Sequence, residues 1–295
     1  MRVNPNPMPD LLAALNQTEL EAQQAALEIS TGKSVNEPSD NPTAAAMLVE
    51  NNDQATFNAG YLQDLTTVNG QLSTADSTLS SVQSALQQAI SLGVEGANGT
   101  LSSGDQAAIV AQLQGIQSQV ISLANTSYQG TYLFGGTVTD NPPYVANGAD
   151  PSGVSYYGNY DVNQVSIGSG YQIAVNQPGG QLFSASGNSV FLALNNLILA
   201  LQANSGVGDA VNSLTAASSY LSVQRVFYGN AMDQVQSQTS YLNAAKLQIA
   251  SQQNALGGVD LTAAASNLSE AQTDSQAALE AIDKFSQNSL FNYMT

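Results

Sequence analysis

The 295-residue sequence contains no cysteine, no histidine and no tryptophan. Thiol nucleophiles and imidazole bases are therefore absent, and most zinc sites and the usual catalytic triads are excluded. Any catalysis would have to use carboxylates, hydroxyls or tyrosine. We predict that the protein is not an enzyme and binds no cofactor or metal.

Basic residues are also scarce. Five Lys and Arg stand against 22 Asp and Glu, which gives a formal net charge of −17 at pH 7. The span from Ser34 to Gln224 contains no Lys or Arg. Because nucleic acids and anionic lipid surfaces are bound through basic patches, we expect neither as a partner.

Long apolar runs are missing as well. No 18 consecutive apolar residues occur, so no membrane insertion is predicted. Met1 to Leu12 carries one Arg and three prolines but no apolar core of 7–15 residues. A cleaved secretory signal peptide is therefore not expected.

The strongest positive signal is a heptad pattern in which apolar residues alternate at steps of four and three. Its members are Tyr61, Leu65, Val68, Leu72, Ala75, Leu79, Val82, Leu86 and Ala89. The pattern predicts one long helix, weakened at Gly70 by about 1 kcal/mol relative to alanine. Its apolar seam cannot stabilise it alone, so other helices must pack against it.

Further helices are predicted on both sides. A second helical rod follows the glycine-rich stretch Gly93–Gly104, and its apolar residues are Ile109, Leu113, Ile116, Val120 and Leu123. Two such rods joined by a short glycine-rich turn indicate an antiparallel hairpin. A first helix carries Leu12, Leu15, Ala22, Ala26 and Ile29, with Glu19 on the same heptad, and ends at Gly32. The turn-rich elbow Lys33–Pro42 separates it from the long helix.

The last third also shows heptads. One rod carries Tyr228, Met232, Val235, Thr239, Leu242, Lys246, Ile249, Gln253 and Leu256. The final helix carries Leu261, Ala264, Leu268, Ala271, Ser275, Ala278, Ile282 and Phe285, after a cap at Asp260. A separate helix is predicted over Val190–Leu201.

Between Gly130 and Ala185 the pattern changes to short β-prone runs separated by Gly, Pro, Asn and Asp. The runs are Tyr132–Phe134, Val154–Tyr157, Gln164–Ile167, Tyr171–Val175 and Gln181–Phe183. The predicted fold is mainly α with a small β-rich insertion, in which long antiparallel, coiled-coil-like helices from both chain ends surround an outer β domain. We divide the chain into residues 1–42, 43–129, 130–189, 190–257 and 258–295.

The terminal helices are rich in Ala, Ser and Gln and short of large core residues. Such helices hold themselves folded poorly, so we expect them to order when many copies bury them together. A monomeric helical bundle with frayed ends is the alternative.

Two sets of motifs resemble the flagellin-like axial proteins of bacteria. Ser30–Asn36 with Ser39–Pro42 is similar to the motif between that family's first two helices, through Asn36, Asp40 and Pro42. Arg225 followed by Gly229 and Asn230 is similar to its C-terminal pattern, and Asp260–Gln272 resembles the start of its last helix.

The middle and end of the chain resemble most closely the family members at the junction of hook and filament. The similar segments are Tyr132–Gly136, Tyr157–Asn159, Ile173–Asn176, Gly180–Phe183 and the closing Ser289–Tyr293.

This resemblance implies an extracellular structural protein of the flagellum, exported uncleaved through the flagellar type III apparatus with the help of a chaperone. Its partners would be other copies of itself in a ring, hook-associated protein 1 below and flagellin above. We expect assembly through terminal side chains, namely Leu12, Leu15, Ile29, Leu268, Ile282, Phe285, Leu290 and Phe291.

Three other functions are weighed against this one. A filament flagellin would share both helical ends. An enzyme could pair carboxylates among Asp140, Asp150 and Asp161, although these are more typical of turns and lack the spacing of a calcium loop. A secreted adhesin or carbohydrate-binding protein would use the clustered tyrosines, which are Tyr144, Tyr156, Tyr157, Tyr160 and Tyr171.

Overall fold

A computed structural model describes residues 8–98, 101–168 and 170–293, the last nine of these by their backbone only. The chain forms two compact units. One combines the residues up to Phe57 with those from Ala244 onward, and the other extends from Asn58 to Asn243.

Seven helices account for most of the described chain. They are α1 (Met8–Thr31), α2 (Pro42–Gly96), α3 (Ser103–Ala124), α4 (Gly179–Leu182), α5 (Val190–Gln202), α6 (Val207–Gly257) and α7 (Leu261–Tyr293). The predicted mainly helical fold with a small β-rich insertion is confirmed. Within the described ranges, no helix combines the length and the apolar character that crossing a bilayer requires.

The heptad seam of α2 forms the centre of the 58–243 unit. From Leu65 to Ala89 its members are at most 3% exposed, and Tyr61 is half-buried. They join one apolar cluster with the seams of α3, α5 and α6. The long helix is therefore stabilised by neighbouring helices, as its sequence requires.

Helices α2 and α6 run antiparallel, as three pairs of residues show. Asn58 Nδ2 donates to the carbonyl of Leu242 at 2.9 Å, Asp76 binds Arg225, and Gln83 hydrogen-bonds Ser222. Residue numbers rise along α2 while those of their partners fall along α6. Since these partners lie far apart in sequence, the pairing is a property of the tertiary fold.

Packing explains why a glycine occupies position 70 in the middle of α2. Tyr128, just beyond the end of α3, lies against it, and a methyl group at this position would overlap the tyrosine hydroxyl and ring. The same contact shows that the chain has returned along α2, which agrees with the predicted α2–α3 hairpin.

In the other unit, α1 packs against α7. The buried or half-buried stripe of α1 comprises Leu11, Leu15, Thr18, Ala22, Ala25 and Ile29. The predicted seam placed Leu12 and Ala26 here, but both are exposed. Three of the six residues on this stripe are alanine or threonine, so the apolar pattern does not define the buried face uniquely.

The β-rich insertion contains six short strands in three separate antiparallel pairs. They are β1 (Ser127–Tyr128) with β2 (Thr131–Tyr132), β3 (Tyr144–Ala146) with β4 (Val154–Tyr156), and β5 (Gln164–Gly168) with β6 (Tyr171–Ala174). The aromatic rings of Phe134, Tyr144, Phe183 and Phe191 pack together at centroid distances of 4.9–6.1 Å. This cluster replaces a continuous sheet as the core of the insertion.

Two predictions in this region were wrong. The segment Gln181–Phe183 is not a strand: the amides of Leu182 and Phe183 donate to the carbonyls of Pro178 and Gly179, which forms the one-turn helix α4. Strand β3 was missed because its three residues, between a proline pair and an Asn-Gly turn, make too short a run to show alternation.

Candidate assembly surfaces

The elbow between α1 and α2 is organised by Asp40. One of its carboxylate oxygens, Oδ2, accepts hydrogen bonds from the backbone amides of Asn36 and Glu37, both at 2.9 Å. These bonds favour the charged carboxylate and hold the pKa of Asp40 below its usual range. Asn41 Oδ1 then accepts from the amide of Ala44 at 3.0 Å and caps α2, whose first residue is Pro42.

The elbow also contacts the turn between α6 and α7. The amide of Ser34 donates to the carbonyl of Gly257 at 2.9 Å, and Lys33 pairs with Gly258 in an isolated β-bridge. Asp260 Oδ1 accepts from the amides of Thr262 and Ala263, so it caps α7 as predicted. The backbone just after α1 is thus held against the C-terminal end of α6.

The predicted assembly residues fall into three groups. Leu15, Ile29, Leu268 and Ile282 are half-buried within the 1–57 and 244–295 unit, while Leu12 is 48% exposed. The side chains of Phe285, Leu290 and Phe291 lie outside the described part. Their role in assembly stays a prediction.

Other leucines on the two terminal helices are exposed to a similar degree as Leu12. Leu20 and Leu27 on α1 and Leu261 and Leu279 on α7 have between 45% and 60% of their surface exposed. Three of them were missed because they break the heptad, and Leu261 was placed on the buried side. On α1, Leu12, Leu20 and Leu27 follow one another at intervals of about two helical turns. This spacing is the sequence signal that could have identified them as one exposed face.

Carboxylates gather between α1 and α7. Glu21, Glu28, Glu270 and Asp274 line a groove of about 400 Å³. Within the residues that the structure describes, no group of acidic residues is arranged to hold a metal ion. The groove therefore makes this surface strongly negative without forming a cation site.

Arg225 links α6 to α2. Its Nε and one terminal nitrogen donate to the two carboxylate oxygens of Asp76, each at 2.9 Å, and its other terminal nitrogen donates to Gln83 Oε1 at 3.0 Å. Both charged side chains are a little over a quarter exposed. Gly229 and Asn230, the other two residues of this motif, are exposed on α6.

The Tyr132–Gly136 segment connects α3 to the β-rich insertion. The carbonyl of Gly136 accepts from the side-chain amides of Asn163 and Asn176, and Asn159 Oδ1 accepts from the amide of Thr137 at 2.8 Å. Gly136 has a φ of 73°, a conformation that favours glycine. These polar side chains stabilise the turn conformation of the segment.

The clustered tyrosines do not form one surface. Tyr144 is buried in the aromatic cluster, where burial raises the pKa of its hydroxyl, and Tyr156 is half-buried. Tyr157, Tyr160 and Tyr171 are exposed. Burial of Tyr144 indicates that part of the set stabilises the fold.

The three aspartates considered for catalysis occupy loops. Asp150 accepts from the amide and hydroxyl of Ser152, which holds its pKa below the usual range, and Asp161 accepts from Asn159 Nδ2. Asp140 is exposed. The hydrogen bonds of Asp150 and Asp161 are those of turn-forming residues.

Comparison with known proteins identifies the family. The model of the bacterial flagellin N-terminal helical region matches residues 7–139, and that of the flagellin C-terminal helical region matches residues 205–294. The chain belongs to the bacterial flagellin family. It is a structural protein of the bacterial flagellum, an external appendage, and its family self-assembles within that structure.

Two curated relatives share one name. Flagellar hook-associated protein 3 of Salmonella typhimurium is 31% identical over 175 residues, which cover 59% of this chain and 54% of that protein. The match thus spans about half the length of the Salmonella relative. Flagellar hook-associated protein 3 of Escherichia coli is 27% identical over 307 residues, which cover 95% of each chain.

A solved structure shares the fold. It is assigned to the flagellar hook-associated proteins of Vibrio parahaemolyticus and superposes with a TM-score of 0.68 at 20% sequence identity. The match covers 74% of this chain and 99% of that one. The predicted resemblance to hook-associated proteins is confirmed.

Proposed function

We propose that this protein forms the junction between the flagellar hook and the filament. The observation that carries the proposal is the match to hook-associated protein 3 of E. coli over 95% of both chains. A match of that extent includes the β-rich insertion as well as the helical ends that all flagellins share.

The exposed leucines on α1 and α7 support assembly through the terminal helices. Apolar side chains at Leu12, Leu20 and Leu279 are about half exposed in the single chain. Packing of many copies along a helical stack would remove this surface from water. In such a stack each subunit presents one surface downward and a different one upward.

The partners in this proposal are hook-associated protein 1 on the hook side and flagellin on the filament side. A flagellar export chaperone would cover the terminal helices before export through the type III apparatus. The protein acts as a structural adaptor with no catalytic step. The acidic α1–α7 groove would be close to other subunits, so assembly should be favoured by salt, which screens like charges.

A filament flagellin is the second candidate, because both matching family models describe regions of flagellin. The copy number of the subunit separates the two functions. A junction needs few copies per hook, whereas a filament needs a large excess over hook protein.

The test is quantitative mass spectrometry of sheared, purified flagella from the native bacterium. We expect a small molar ratio of this protein to hook protein. A large excess would assign the protein to the filament, and its absence from flagella would refute both assignments.

A further inference from the structure

The loop between strands β3 and β4 contains an Asn-Gly pair, Asn147–Gly148, in a tight turn. The amide of Asp150 donates to the carbonyl of Asn147 at 3.1 Å and closes this turn. Gly148 is exposed. Within the part of the chain that the structure describes, no group accepts a hydrogen bond from the amide of Gly148. Its nitrogen is therefore available for reaction.

The side chain of Asn147 bends back over the next peptide group. Its Oδ1 accepts a hydrogen bond from the amide of Ala149 at 3.1 Å, and its Nδ2 donates to Ser155 Oγ at 2.9 Å. The first bond closes a ring of atoms that includes both Cγ of Asn147 and the nitrogen of Gly148. The Ala149 amide would also stabilise negative charge that develops on Oδ1 when a nucleophile adds to Cγ. The turn thus combines an activated carbon with an unhindered amide nitrogen.

A second Asn-Gly pair has the same chemistry on a different backbone. The sequence contains three such pairs, which begin at Asn69, Asn98 and Asn147, and the pair at Asn98 continues into residues outside the described part. Asn69 is exposed, but it lies with Gly70 in the interior of α2, where backbone amides form the helical hydrogen bonds. A reaction of the Gly70 amide would require local opening of this helix.

We propose that Asn147 is a site of spontaneous deamidation. The nitrogen of Gly148 loses its proton to solvent and bonds to Cγ of Asn147, while the bond from Cγ to Nδ2 breaks and this nitrogen leaves as ammonia. Water then opens the succinimide ring at either carbonyl, which gives aspartate or isoaspartate. The reaction uses only this chain and water, so it does not depend on the proposed junction function.

Deamidation changes both the charge and the backbone of the turn. Each event replaces a neutral side chain by a carboxylate close to Asp150, and Ser155 loses the amide that donates to it. In isoaspartate the main chain runs through the former side chain and is one carbon longer. The hydrogen bond from the Asp150 amide to the Asn147 carbonyl then loses its geometry. The turn therefore becomes more acidic and less ordered as the subunit ages.

The test incubates purified full-length protein at mildly alkaline pH in water enriched in heavy oxygen, which labels each newly formed carboxylate. Because Ser34–Gln224 contains no Lys or Arg, the protein is digested with a protease that cuts beside apolar residues. Mass spectrometry then measures label at Asn147 and at Asn69. We expect conversion of Asn147 to be at least several-fold faster. In guanidinium chloride the two rates should become similar, since glycine follows both residues.

Gly148→Ala provides the variant. No neighbouring atom lies within 4 Å of the added methyl group, so the turn should fold normally, but the methyl group hinders approach of the nitrogen to Cγ and should slow conversion several-fold. The matched control is Gly115→Ala at an equally open position on α3, which should leave the rate unchanged. The proposal is overturned if folded Asn69 converts as fast as Asn147, if Asn147 converts only in denaturant, or if Gly148→Ala does not slow conversion.

Discussion

At the scale of single residues, Arg225 stands out because it is the one basic residue in a strongly acidic unit. Its bidentate pair with Asp76 and its third bond to Gln83 join positions 149 and 142 residues apart in sequence. A planar guanidinium can make all three bonds at once, whereas a lysine ammonium cannot match this fork geometry.

We expect Arg225→Ala to lower the free energy of unfolding by about 1–2 kcal/mol, because partly buried Asp76 and Gln83 lose their partner. Arg225→Lys should recover only part of this loss. Chemical denaturation of the purified protein measures both. The control is Lys246→Ala at an exposed position of α6, which should change little; equal effects at the two positions would contradict the prediction.

At the scale of elements, α2 depends on contacts that its own sequence only partly shows. Gly60 and Gly70 both lie within this helix, but Gly60 has open space around it while Gly70 faces Tyr128. The two glycines therefore form a matched pair for separating helix propensity from packing.

Gly60→Ala should stabilise the protein by about 1 kcal/mol through helix propensity alone. We expect Gly70→Ala to stabilise it less, or to destabilise it, because the tyrosine ring must move. In a Tyr128→Ala background the two substitutions should have similar effects. Thermal unfolding of the two single glycine variants, of Tyr128→Ala and of the two double variants tests this, and equal effects in the wild-type background would rule out the steric role of Tyr128.

We expect the order of the elbow to depend on pH. Two amide donors lower the folded-state pKa of Asp40, so their stabilising contribution is complete above the ordinary aspartate pKa. It is lost as the pH falls through the lower folded-state value. NMR titration of the Asp40 carboxyl should show a pKa below the usual value.

Asp40→Asn provides the complementary measurement. The amides of Asn36 and Glu37 should exchange faster with solvent in this variant at neutral pH, because the charged acceptor is gone. An unshifted Asp40 pKa together with unchanged amide exchange would show that the carboxylate does not organise the elbow.

At the scale of the whole molecule, large buried side chains are concentrated in one unit. The core of residues 58–243 contains the leucine seam of α2 and the aromatic cluster of the insertion. Among the described side chains of α1 and α7, the buried ones are alanines, at positions 25, 264 and 271. Because alanine buries little apolar area, the terminal helices gain less from folding in the single chain.

Removing Met1–Gly32, or the segment after Asp260, should therefore leave the 58–243 unit folded but abolish assembly. The helical signal in circular dichroism should fall only in proportion to the residues removed. Negative-stain microscopy should show no assembled subunits. Loss of most helix in either truncation would mean that the terminal helices are needed for the whole fold.

The sequence alone determined which segments are helical and where the β-rich insertion lies, because side-chain periodicity is a local property. The seam from Leu65 to Ala89 and the cap at Asp260 are readable in this way. The family motifs were also visible, since they are runs of adjacent residues.

The tertiary structure alone decided which distant groups meet. It brings Arg225 to Asp76 and Tyr128 to Gly70, and Tyr171 and Tyr241 line one cleft. It also turns Gln181–Phe183 into part of a helical turn and selects Leu11 over Leu12 for the partly buried face of α1. The contacts between distant groups and the choice of Leu11 depend on neighbours remote in sequence, whose positions no local pattern encodes.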